Sequence, residues 1–131
     1  MKARYAPPFI DRLFAQADLA TLHQVVSVIE QDRSLPEEYW LFCRVIEWIG
    51  SRRSGIWQYY ESLPAATCDR VSTGLDRFGL TEVAEIYRSG RNHWQEEQKM
   101  SHLETWLREN ERGVEAAMLE LVQPHKDLLK A

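Results

Sequence analysis

No run of apolar residues in the chain approaches the eighteen or so that a membrane span requires, so a membrane partner is not expected. The opening Met1-Lys2-Ala3-Arg4-Tyr5-Ala6-Pro7-Pro8 is not followed by an apolar stretch of the signal-peptide kind, and a cytoplasmic location is the expectation. The six glycines among 131 residues are scattered and form no phosphate-cradling fingerprint. Only two cysteines occur, Cys43 and Cys68, with no Cys-x-x-Cys spacing. Both fall at apolar positions of predicted helices and read as buried free thiols of a reducing compartment, with a lone disulfide as the alternative. Neither sign of charge dominates. The net charge of −4 is too acidic for a protein that must neutralise nucleic-acid phosphates, so direct nucleic-acid binding is not expected.

Strand signals are missing too. No segment alternates with period two for long, and no Asn-Gly or Asp-Gly hairpin turn occurs. What is present is helical periodicity, which predicts an all-α protein: a single domain over residues 1–131, a bundle of about six helices with a long C-terminal one. Residues 1–8 read as an extended tail held out of helix by Pro7-Pro8. Asp18 is placed to cap a helix whose Leu19, Leu22, Val25, Val26 and Ile29 form one apolar stripe. Ser34-Leu35-Pro36-Glu37 matches a capping box and opens a helix to about Ile49, apolar on nearly every side. That helix is expected at the centre of the domain, with enough apolar circumference left over to predict a homodimer burying Trp40 or Trp48.

After a break at Gly50–Gly55 comes a short aromatic helix, Ile56-Trp57-Gln58-Tyr59-Tyr60. Ser62-Leu63-Pro64 repeats the start signal, Gly79 is placed to close the next helix, and Leu80-Thr81-Glu82 starts another. From about Asn92 the spacing of Leu103, Trp106, Leu107, Val114, Met118 and Leu121 predicts one helix of about thirty residues, or two meeting near Gly113, ended by Pro124. Five Trp, five Tyr and four Phe are a heavy aromatic load, suited to cores and to interfaces alike.

Catalytic chemistry finds little to stand on. His93 and Glu97, four apart on one predicted helix, have the spacing that can hold a divalent ion, with His102 farther along. There is no His-Glu-x-x-His and no second helix with a Glu-x-x-His pair, so surface or capping histidines account for them better; His23 and His125 stand alone. No Gly-x-Ser-x-Gly is present, and Cys43 lies away from any helix N-terminus that would activate it. Arg52-Arg53, with Arg44 nearby, reads as a solvated helix end. No cofactor is implied.

The excess acid lies in the second half. Residues 1–55 hold seven basic and seven acidic side chains, residues 56–131 nine and thirteen. Glu97, Glu104 and Glu111, seven apart on one helical face, form a row with Glu115 nearby, interrupted by Lys99, Arg108 and Arg112 at neutralising distances.

Ser54-Gly55-Ile56-Trp57-Gln58-Tyr59-Tyr60, followed by Leu75, Gly79 and Val83-Ala84-Glu85-Ile86, resembles a family of all-helical bacterial domains, mostly uncharacterised, named for a DNA-mimic protein. Gly55, Gln58, Tyr59, Tyr60 and Gly79 match its pattern; Ile56 stands in place of the usual aromatic and Ser54 in place of the first glycine. The match covers about residues 45–90. These positions look structural, with Gly55 suiting a tight helix entry and Gln58 a buried amide among rings. The resemblance and the missing chemistry together lead to the expectation of a non-catalytic protein-protein interaction protein, regulatory in character, whose Glu97, Glu104, Glu111 and Glu115 attract a basic or DNA-binding protein. The alternatives are a metal-dependent helical-bundle hydrolase using His93, Glu97 and His102, and an immunity or antitoxin-type inhibitor.

Overall fold

A computed structural model describes residues 5–131 and is all-α. Seven α-helices occur among the described residues: α1 (Pro7–Ala15), α2 (Leu19–Asp32), α3 (Glu37–Gly50), α4 (Ile56–Ser62), α5 (Ala65–Arg77), α6 (Thr81–His93) and α7 (Glu97–Val122). A 3₁₀ turn at Ser51–Arg53 and a 3₁₀ helix at Gln123–Leu129 complete the described elements. The β-type contact among the described residues is an isolated parallel bridge between Tyr5 and Lys130.

Local chemistry explains most of the boundaries, including those that depart from expectation. Part of the extended tail expected over residues 1–8 (residues 1–4) lies outside the described residues. Pro7 and Pro8 do not hold the chain out of helix; they open α1. The first turn has no use for an amide N–H, so a ring that removes the donor and presets φ is tolerated there. Asp18 caps α2 as expected, its Oδ1 accepting the Thr21 N–H at 3.2 Å.

The capping box at Ser34 does not form, because α3 begins at Glu37 itself. The box would need Leu35 helical, and a residue before proline is pushed out of the α region. Leu63 repeats the lesson: it is extended (φ −92°, ψ 132°) before Pro64, and α5 starts only at Ala65. That helix ends in a Schellman turn. Gly79 takes φ +81° and gives its N–H to the Asp76 carbonyl at 3.0 Å, while Leu80 N–H reaches Leu75 O at 2.8 Å. The long C-terminal helix starts at Glu97 rather than Asn92, which still belongs to α6, and runs unbroken through Gly113 for 26 residues, about 39 Å.

The chain divides into two compact units, one of residues up to Ile46 with Glu115–Ala131 and one of Glu47–Val114. In the first, α1 packs on α2 and on the 3₁₀ helix. Ile10, Leu22, Val26, Ile29, Phe42, Met118 and Leu129 are buried. Polar links run along its edge. Asp11 pairs with Lys126 at 3.0 Å and Lys130 at 2.9 Å, and Tyr39 Oη donates to the His125 carbonyl at 2.6 Å. The expectation that His125 stands alone is thereby corrected, since its Nε2 lies 2.6 Å from Glu38 Oε2.

In the second unit α5 packs on α6 around the Gly79 turn, and α4 packs on α6. Its interior is aromatic. Tyr59, Tyr60 and Tyr87 have centroids 5.2–5.9 Å apart, and the Trp48 ring meets Tyr87 edge-on at 5.2 Å. Tyr59 and Tyr87 share a hydroxyl hydrogen bond of 2.6 Å, and Tyr60 Oη donates to the Tyr87 carbonyl at 3.0 Å. Burial pushes the phenol pKa of Tyr60 and of Tyr87 well up. Gly90 admits this cluster: a β-carbon there would lie 2.2 Å from Tyr60 Cζ. Trp48, expected as a dimer contact, is fully buried within the single chain; in the first unit, Arg44 lies over the Trp40 ring at 5.5 Å.

Candidate protein-binding site

The segment singled out by its motif, Ser54–Tyr60, is divided by helix geometry into two faces. Ile56, Tyr59 and Tyr60, spaced i, i+3 and i+4, point inward and are buried. Trp57 and Gln58 are left outside. Gln58 is therefore not the buried amide that its pattern suggested; its carbonyl accepts the Ser62 hydroxyl at 2.8 Å, an ordinary local helix contact.

Gly55 does match its expected role and has a second one. Its φ of +106° is open to glycine and strained for other residues. A β-carbon there would also stand 2.9 Å from Trp57 Nε1, so the missing side chain lets the indole lie against the backbone. Trp57 is 41% exposed, a large fraction for so large an apolar side chain.

Trp57 forms part of an open cleft of about 630 Å³, lined also by Gly55, Trp94, Gln95, Glu97, Met100, Ser101 and Glu104. Trp94 sits at the corner between α6 and α7. Ser101 and Glu104 are shared with an adjoining depression of about 380 Å³ whose other walls are Arg52, Thr105 and Arg108. One wall system is thus aromatic and acidic, the neighbouring one basic and hydroxylic.

The acidic row on α7 is broken up by the fold. Glu97 is exposed. Glu104 is half-buried, and its Oε1 accepts the Ile56 N–H at 3.0 Å, supplying from another helix the cap that Gly55 has no side chain to give. Glu111 forms an ion pair with Arg52 at 3.1 Å. The expectation that Glu104 and Glu111 lie exposed to attract a partner is corrected for both, since both are half-buried and satisfy a helix N-terminus and a neighbouring guanidinium inside the unit. Glu115 is half-buried, in the other unit.

The expected His93–Glu97 spacing is also undone. His93 ends α6 and Glu97 begins α7, so the two do not share a helix; His93 Nδ1 pairs with Glu96 Oε2 instead. His102 is exposed on α7. Among the described residues no group of three or more His, Cys, Asp or Glu is placed to hold a metal ion. Both cysteines are buried free thiols, and burial pushes the Cys68 thiol up, favouring the protonated form over the thiolate.

Sequence reasoning found Trp57, Glu97 and Glu104 but not Trp94, Met100 or Ser101. The missed signal is the break between α6 and α7, across which buried Ala84 and Tyr87 and buried Met100, Leu103 and Leu107 do not continue one helical stripe. No known protein family, curated protein or solved structure matches the chain. Among the described residues no helix is long and apolar enough to cross a membrane.

Proposed function

We propose that the protein is a non-catalytic binding module, regulatory in character, that docks a basic segment of a protein partner on the Glu47–Val114 unit at the Trp57–Trp94 cleft. One observation carries this reading. The cleft brings two tryptophans together with two carboxylates, Glu97 and Glu104, that have no cationic partner among the described residues. An exposed indole with carboxylates beside it is a surface that gains by covering with a cationic, partly apolar segment. The resemblance of Gly55–Gly79 to the DNA-mimic-protein family agrees with a basic or DNA-binding partner. Recognition on this reading resides in the cleft rather than in a phosphate-like row, because Glu104 and Glu111 already serve the fold. An inhibitor of the immunity or antitoxin type would be one instance of such a module.

The test is cross-linking in the native cell from a photoreactive residue at Ser101, an exposed position on the cleft. The expected product is a discrete protein whose cross-linked segment is rich in Lys or Arg, and Trp57→Ala abolishes it. A cross-linked acidic segment, or products indifferent to Trp57→Ala, would overturn the proposal.

A further inference from the structure

Resting on that docking reading, we infer that the cleft is a receptor for a single cationic side chain, the lysine ammonium or arginine guanidinium of the partner, held between indole surface and carboxylate. Three features of the cleft converge on this chemistry. Trp57 and Trp94 both line it, and tryptophan offers the strongest aromatic face to a cation. Glu97 stands exposed on the same wall, free to supply full charge. Glu104 is fixed in place, because Oε1 is engaged by the Ile56 N–H. A carboxylate has lone pairs for several donors, so the rest of the group is available to a second one. A held carboxylate costs little further side-chain entropy when a cation arrives.

The floor of the cleft suits the stem of such a side chain. Met100 and the indole edges line the cleft and offer apolar surface to the methylenes of a lysine or arginine while its charged end meets the acids. Charge selects the occupant. The walls carry two carboxylates and no basic side chain, whereas the adjoining depression adds Arg52, paired with Glu111, and Arg108 to the shared Glu104. The cleft therefore takes one cation of the basic segment, with its neighbouring basic residues lying outside the cleft.

The experiment uses the full chain and blocked pentapeptides Gly-Gly-X-Gly-Gly with X lysine, arginine or norleucine, read through the indole N–H signals in nuclear magnetic resonance. The lysine and arginine peptides should shift two of the five indoles saturably. The norleucine peptide, equal in stem but uncharged, should bind about tenfold more weakly. Trp57→Ala should delete one of the two responsive signals and weaken binding by a similar factor. Glu97→Gln, at an exposed position, and Glu104→Gln, which keeps an acceptor for the Ile56 N–H, should each weaken it about fivefold while leaving the other indoles in place.

Norleucine binding as well as lysine would show an apolar slot and overturn the inference, as would the absence of any response. Butylammonium binding tenfold tighter than the lysine peptide would overturn the protein-borne source of the cation. Should the peptides fail while cross-links from Ser101 still carry a basic segment, this inference falls and the docking proposal stands.

Discussion

In the unit that closes on Ala131, the ion pairs lie at or near the surface, and one buried phenol, Tyr39, donates to the His125 carbonyl. Asp11 with Lys126 and Lys130, Glu38 with His125, and the Arg33 guanidinium on the Leu128 carbonyl all keep some contact with water. In the unit of Glu47–Val114 the decisive polar groups are interior: three phenols, two of them sharing one hydrogen bond and the third donating to backbone, with the Tyr87 ring packed on Trp48. The difference teaches where single substitutions should matter. An exposed ion pair exchanges one set of water contacts for another and contributes little, whereas a buried hydroxyl deprived of its partner carries its full desolvation cost.

The largest effect is expected at Gly90, against the phenol cluster. Adding one methyl group places a carbon 2.2 Å from Tyr60 Cζ, 2.3 Å from its Oη and 2.4 Å from Cε2. Tyr60 is hemmed in by Tyr59 and Tyr87 and has nowhere to retreat. Gly90→Ala should destabilise the protein by about 3 kcal/mol, even though alanine favours the helix. Urea unfolding checks this, and a stabilised variant would mean that Tyr60 moves freely and the phenol cluster is loose.

Tyr87→Phe comes next. It keeps the rings and the backbone acceptor used by Tyr60 but strips Tyr59 of its hydroxyl partner, so the expected cost is about 1–2 kcal/mol. The same substitution sharpens a pH test. Burial raises the pKa of Tyr60 and Tyr87 above that of the unfolded phenol, so the folded chain resists ionisation that the unfolded chain welcomes. Their contribution is intact below the ordinary tyrosine value of about 10 and is lost progressively as pH rises above it. Tyr87→Phe should flatten that alkaline loss in urea midpoints measured between neutral pH and pH 11.

The other unit supplies the contrast. Lys126→Ala and Lys130→Ala remove ion pairs from exposed Asp11, and neither should move the urea midpoint measurably at neutral pH. The two lysines hold the Asp11 carboxyl below its usual range, so what they contribute is present above the ordinary aspartate pKa and lost as pH falls through the lowered one. A large destabilisation at neutral pH would show that this clasp, together with the Ala131 N–H on the Tyr5 carbonyl at 2.7 Å, acts as a structural lock.

Much of the fold was legible because it depends on near neighbours in sequence. The α2 cap at Asp18, the Gly79 turn and the Gly55 entry are local stereochemistry, and all are present. The Ser-Leu-Pro starts misled because the serine-to-glutamate spacing was given more weight than the restriction that proline places on the leucine before it. Gly90 carried no signal: a glycine in mid-helix announces a close approach but not which ring approaches. The site was half legible. Trp57, Glu97 and Glu104 stood out by type, yet the use of Glu104 as a cap for Ile56 joins residues 48 apart, which no spacing rule reports.

An equally small effect is expected at Gln58, and it decides whether burial, rather than membership of one unit, explains the differences above. The i, i+3, i+4 pattern of Ile56, Tyr59 and Tyr60 already assigns the inward face of α4, and Gln58 lies off it, exposed beside Trp57. Gln58→Ala should therefore change stability by no more than about 0.5 kcal/mol, despite sitting between the motif's rings in sequence and within the unit where Gly90→Ala is most damaging. A loss above about 1 kcal/mol would place the amide inside, tied to buried partners, and would overturn the division of α4 into faces. If stability holds while the lysine peptide binds less well, Gln58 belongs to the rim of the cleft. Its place in the pattern would then reflect recognition, with Gly55 and the tyrosines holding the helix that presents it.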